Sequence, residues 1–153
     1  MDKKDKDLLY LLLKDLCARL LYRVKVRYHY KRNDKVIDED RELDFSDVET
    51  LKYNNEYPQD DWCEISWKPY LRPMSSMTQG EWEEMTALIY PHGRVNRNPD
   101  NKNELLLWLS AEGNEMPIIL MNNVFSWLNE HYFDYHGLIE KGLALEAPKG
   151  MYV

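Results

Sequence analysis

The chain is short of cysteine and glycine and has no long apolar run, and each shortage excludes something. Its longest apolar stretch, Leu8 to Leu13, contains Tyr10 and is stopped by Lys14 and Asp15, so it is too short and too charged to span a bilayer. A membrane partner is therefore not expected. Cys17 and Cys63 are the only cysteines and fall on faces that read as apolar, which points to buried, reduced thiols rather than a disulfide or a metal pair. The six glycines are scattered, and none precedes a Lys-Ser or Lys-Thr pair, so there is no phosphate-binding loop. Residues 2–7 mix Asp and Lys in a way unlike a secretory leader, and a cytoplasmic location is the expectation. Three Phe stand against eleven Tyr and five Trp, so most aromatic surface carries a polar handle that must reach water or a partner when buried.

What is present fits one globular domain over residues 1–153, with 44% hydrophobic and 31% charged residues. The formal net charge of -7 disfavours a generic nucleic-acid binder, whose affinity comes mainly from cations neutralising phosphates. The charge is uneven. Residues 1–30 hold eight Lys and Arg against four Asp and Glu, and residues 31–70 hold six against twelve.

Leu9, Leu12, Leu13, Leu16, Cys17 and Leu20 recur at helical spacing and predict an amphipathic helix over 6–21, with Lys14, Asp15 and Arg19 on its other sides. From Arg23 the period becomes two. Val24, Val26, Tyr28 and Tyr30 alternate with Arg23, Lys25, Arg27, His29 and Lys31, the pattern of a half-buried strand with a cationic outer face. Asn33-Asp34 suits a two-residue hairpin loop. That loop sets His29 opposite Asp38, Arg27 opposite Asp40 and Lys25 opposite Glu42, so a basic row meets an acidic one. Glu39 and Arg41 then share the face of Tyr28 and Val26.

Ser46 with Glu49 has the form of a capping box and predicts a short helix to about Tyr53. A strand is expected over 62–68, ended by Pro69 and Pro73. Thr78 with Glu81 is a second capping box, before a helix whose Trp82, Met85, Leu88 and Ile89 share a face. Residues 91–103 read as an exposed loop, and 104–110 as a strand or a helical turn, with the strand favoured. Leu120, Met121, Val124, Trp127 and Leu128 form a helical face over 117–131, and a last helix is expected from Asp134 as N-cap to Lys141, with Gly142 as the left-handed residue after it. The predicted class is α+β: an antiparallel sheet of three or four strands packed by the N-terminal helix and the helix near 117–131.

Three tracts resemble a known group: residues 14–20 (KDLCARL), 68–78 (KPYLRPMSSMT) and 127–148, from Trp127-Leu128-Asn129-Glu130-His131 to Pro148. Together, covering under half the chain, they resemble small uncharacterised proteins encoded in prophages and other mobile elements of Bacteroides-type gut bacteria. The resemblance implies an origin and a phage-borne accessory role rather than an activity. It also implies that His136 is not an indispensable ligand, because Arg often stands there in the group.

The candidate sites follow from these elements. His131, Asp134 and His136 could gather two imidazoles and a carboxylate around a transition metal, but Asp134 is explained as a cap and His131 by a helix end, so neither a cofactor nor a catalytic residue is expected. Lys68-Pro69-Tyr70-Leu71-Arg72-Pro73 could display an extended strip around Tyr70, or pass the domain edge with Tyr70 tucked in. The first functional expectation is a non-enzymatic accessory protein that binds a host or phage protein, such as a host defence nuclease, through Asp38, Asp40, Asp60, Asp61, Tyr70 and Arg72. The alternative is a nucleic-acid-binding module using Arg23, Lys25, Arg27, Lys31 and Lys68. A metal-dependent enzyme at His131, Asp134 and His136 is the third.

Overall fold

The computed structural model describes residues 3–56, 63–88 and 118–152, which form an α+β fold. Its elements are α1 (Lys3–Arg19), a 3-10 turn (Leu20–Tyr22), β1 (Lys25–Arg32), β2 (Lys35–Glu42), α2 (Phe45–Glu56), β3 (Cys63–Leu71), a second 3-10 turn (Met74–Ser76), α3 (Gln79–Ala87), α4 (Ile118–Glu130) and β4 (Leu145–Glu146). The chain divides into two compact units, residues 1–71 with 136–153 and residues 72–135. Among the described residues no helix is long and apolar enough to cross a membrane. The loop expected at 91–103, the strand expected at 104–110, and Asp60 and Asp61 lie outside the described residues.

The first unit is built on a four-stranded sheet in the order β2-β1-β3-β4. Asn33 supplies the left-handed turn (φ 51), and the hairpin register is the one its two-residue loop dictates: Lys25 faces Glu42, Arg27 faces Asp40 and His29 faces Asp38. β3 runs antiparallel along the other side of β1, placing Trp67 beside Tyr28 and Pro69 beside Val26. The strand thus continues through Pro69 to Leu71 instead of ending there. Proline is tolerated because β4 pairs only with Tyr70 and Leu71, leaving β3 an edge strand before them among the described residues. β4 is parallel to β3, so the sheet is mixed at this margin.

One face of this sheet is apolar. Val24, Val26, Leu43, Trp67 and Leu71 are buried, as are Leu12 and Leu16 of α1 and Val48 and Leu51 of α2. α2 is fixed against that face by the Trp67 indole, whose Nε1 donates to Asp47 Oδ1 at 3.0 Å. Its cap is not the expected Ser46 with Glu49. Asp44 and Asp47 close a reciprocal box two residues earlier: Asp47 N–H donates to Asp44 Oδ1 at 3.0 Å, and Asp44 N–H to Asp47 Oδ2 at 3.1 Å. Asp47 also accepts from Arg41, whose guanidinium lies 4.5 Å above the Tyr28 ring. That answers how Arg41 shares the apolar side of the hairpin.

α1 buries Leu12 and Leu16 of the expected face, but the buried side is shifted to include Asp15 and Arg19 and to leave Cys17 out. Its buried residues are Leu12, Asp15, Leu16 and Arg19, whereas Cys17 is an exposed free thiol. The side chain of Cys63 lies outside the described residues. After α1, Arg23 takes a left-handed conformation (φ 55), so β1 begins at Lys25 rather than Arg23.

The second unit has its own core of Met74, Met77, Trp82, Met85, Val124, Trp127, Leu128 and Phe133. The Thr78–Glu81 capping box opens α3 as the sequence predicts. α4 closes with Phe133 N–H donating to the Leu128 carbonyl at 2.9 Å, and with Tyr132 left-handed at φ 62. Phe133 then meets Arg72 in a two-residue bridge. The helix expected over 134–141 is replaced by turns. Gly142 nevertheless takes the left-handed role expected of it (φ 70), as Leu143 N–H reaches back to the Leu138 carbonyl at 2.9 Å.

Candidate functional site

Alternation along β1, β2 and β3 sends every second side chain to the face opposite Trp67. Lys25, Arg27, His29 and Lys31 come from β1, Asp38, Asp40 and Glu42 from β2, and Ser66, Lys68 and Tyr70 from β3. Residues taken from both functional expectations therefore share one face. The face is open: the Arg27, Asp38 and Asp40 side chains are 41%, 51% and 42% exposed.

Its centre is a closed network. Arg27 forks onto Asp40, with Nη2 donating to Oδ2 at 3.1 Å and Nε to Oδ1 at 2.5 Å. Tyr70 bridges the pair, accepting from Arg27 Nη2 and donating to Asp40 Oδ1, each at 2.9 Å. Arg27 also lies 3.6 Å from Asp38. The hydrogen bond from Arg27 holds the Asp40 carboxyl below its ordinary range, and Asp40, with Tyr70, raises the guanidinium in turn. Burial raises the Tyr70 phenol, and its bond to Asp40 adds to this.

Tyr70 is itself only 6% exposed. Its backbone pairs with Leu145, and Tyr152 Oη donates to its carbonyl at 2.8 Å. Its ring is thus no platform for stacking. Of the strip from Lys68 to Arg72, Lys68 is the exposed cation. Arg72 belongs to the second unit, where it forks onto Glu81 at 2.7 and 3.0 Å and lies over the Phe133 ring. Burial works against the ionised Glu81, but Arg72 and the Thr78 cap outweigh it and hold its pKa at about 2.

The three residues considered for a metal are occupied separately. His131 Nδ1 donates to the Trp127 carbonyl at 2.9 Å, with its ring stacked on Trp127 at 3.8 Å. Asp134 is buried, and its N–H donates to the Arg72 carbonyl at 2.8 Å. His136 Nδ1 lies 2.9 Å from Asp15 Oδ1. Among the described residues no group of three His, Cys, Asp or Glu side chains is placed to hold a metal ion.

Sequence reasoning missed the cluster that His136 joins. Asp15 and Arg19 are both fully buried and form a fork on α1, with Nε donating to Oδ2 at 2.7 Å and Nη2 to Oδ1 at 3.1 Å. Burial penalises the Asp15 carboxylate, yet the His136 bond and the Arg19 charge more than offset this and lower its pKa. The available signal was the i, i+4 spacing of Asp15 and Arg19, which also suits an exposed pair.

Fold and site together define an α+β protein with an open, charged sheet face. Comparison with family models, curated proteins and solved structures gives no significant match.

Proposed function

We propose that the chain is a non-enzymatic binding protein that engages a protein partner through the carboxylate-bearing margin of its open sheet face. The observation that carries this reading is how charge is sorted across the strands. The cations Lys25, Arg27, Lys31 and Lys68 lie on β1 and β3, while Asp38, Asp40 and Glu42 line β2, the outermost strand. Arg27 answers Asp40 from the inner side, so the outer margin presents one sign to a partner. The resemblance to proteins of prophages and mobile elements extends the proposal to an accessory role, with the acidic margin occupying the basic groove of a nucleic-acid-binding protein such as a host defence nuclease.

Affinity capture from a host lysate tests this reading, comparing the wild type with the Asp38→Lys/Glu42→Lys variant. A stoichiometric partner retained by the wild type and released by the variant is the expected result. No stoichiometric partner, or equal retention by both proteins, would sink it.

One observation favours a second reading, nucleic-acid binding. Lys31 and Lys68 are exposed, and the ion pairs described on this face join Arg27, not these lysines, to Asp38 and Asp40. The carboxylates of β2 work against a phosphate chain on the same face. A salt-sensitive shift of DNA or RNA at low ionic strength, lost on replacing Lys31 and Lys68, would favour this reading over the first.

A further inference from the structure

The backbone of β2 carries more information than its side chains. Leu43 N–H donates to the Val24 carbonyl at 2.9 Å, which makes 24 and 43 a hydrogen-bonded pair of the hairpin. In an antiparallel ladder such pairs alternate with pairs whose amide and carbonyl groups point away from each other. The register runs without a bulge from Lys25–Glu42 to Arg32–Lys35, so the alternation holds along the whole strand. Lys35, Ile37, Glu39 and Arg41 therefore spend their backbone groups on β1. Val36, Asp38, Asp40 and Glu42 turn theirs to the outer edge.

Those four residues are exposed, and among the described residues no strand pairs with that edge. Three of them are also the carboxylates of the open face. The free backbone ladder and the acidic row thus belong to the same residues.

We infer that β2 is a strand-addition site for an extended, basic segment of a protein partner, which pairs antiparallel to it. The inference rests on the protein-binding reading and narrows it. An incoming strand would bond to Val36, Asp38, Asp40 and Glu42, and its residues opposite these would project onto the charged face. The partner segment is then recognised by Lys or Arg at every second position, repeating on the outer side of β2 the alternation that β1 offers on the inner side. A second copy of this chain does not meet that requirement. Two-fold pairing of β2 with itself, centred anywhere from Asp38 to Asp40, sets carboxylate opposite carboxylate, and like charges directly opposite repel.

The probe is a short synthetic peptide with lysine at every second position and valine or threonine between, compared with a peptide of the same composition whose lysines are contiguous. Amide hydrogen exchange by NMR is read residue by residue on the full chain. The alternating peptide is expected to bind about tenfold more tightly than the control. It should also protect the amides of Val36, Asp38, Asp40 and Glu42 while leaving those of Ile37, Glu39 and Arg41 unchanged. Val36→Pro removes an outward donor without touching a β1–β2 bond and should weaken binding; Asp38→Lys/Glu42→Lys should abolish it.

Equal binding of the two peptides, binding without protection of those four amides, or no binding overturns the inference. So does protection of the same amides without peptide together with concentration-dependent dimerisation, which would assign the edge to a second copy. A lysate partner released by Asp38→Lys/Glu42→Lys but indifferent to Val36→Pro would leave the protein-binding reading standing and remove strand addition.

Discussion

His136 Nδ1 lies 2.9 Å from Asp15 Oδ1, joining the turn before Gly137 to the buried side of α1 across 121 residues of sequence. The carboxylate accepts, so this ring nitrogen carries the proton. Arg19 occupies the rest of the carboxylate.

Removing Asp15 leaves the buried Arg19 guanidinium without its counter-charge. Asp15→Ala is expected to cost about 3–5 kcal/mol in chemical denaturation. His136→Arg, which keeps a donor at the site, should lie much closer to wild type than His136→Ala. A His136→Ala variant as stable as wild type would show that the bond contributes nothing.

Glu81 gives the second unit an acid limb. Its folded pKa of about 2 lies below the ordinary 4.5, so the stabilisation it supplies is fully present above about 4.5 and is lost as pH falls toward 2. Acid titration of the near-ultraviolet signal of Trp82 and Trp127 should follow this window. Glu81→Gln should flatten the limb and lower stability at neutral pH by roughly 1–2 kcal/mol, since it weakens a charge-assisted fork and a helix cap.

Arg23 holds a left-handed conformation without glycine (φ 55). Arg23→Gly should raise the denaturation midpoint by an amount equivalent to about 0.5–1 kcal/mol, because the strain of a Cβ in that region is relieved. A lower midpoint would mean that the side chain contributes more than its backbone costs.

Asp47 serves three groups at once: the Trp67 indole, the Arg41 guanidinium and the Asp44 amide. Asp47→Ala should destabilise by about 2–4 kcal/mol, more than the loss of a helix cap alone, since it strands a buried indole N–H and leaves Arg41 with only Glu39 and the Tyr28 ring among these contacts. Asp44→Ala, which removes the cap and the acceptor of the exposed Ser46 hydroxyl, should cost about 1 kcal/mol. Equal losses would show that the Trp67 and Arg41 contacts carry no weight.

The hairpin was legible in the sequence because a two-residue loop fixes register and period-two alternation then assigns every face. Arg27 and Asp40 could be paired on that basis alone, and they are paired. The interior of α1 was not legible. Periodicity treats Asp15 and Arg19 as outward-facing, and the local sequence does not show that a distant residue, His136, bonds to the buried Asp15 carboxylate. The cap of α2 was misplaced because Ser46 and Asp44 both fit an N-cap, and Asp44 prevailed with a backbone bond and with the Asp47 carboxylate held by Trp67. Of the two readings the proline-flanked strip allows, Tyr70 takes the tucked one, covered by β4 and Tyr152, and neither cover is apparent from the local sequence. The edge of β2 was hidden for a different reason: strand order comes from long-range pairing, and the sequence states only the local hairpin.

Whether the outer margin of β2 receives a protein partner is decided by capture from a host lysate with the wild type beside Asp38→Lys/Glu42→Lys at matched ionic strength. A stoichiometric partner that is held by the wild type, weakens as salt rises and is absent from the variant is the expected result. A partner held equally by both proteins, or none on the wild type, would contradict it.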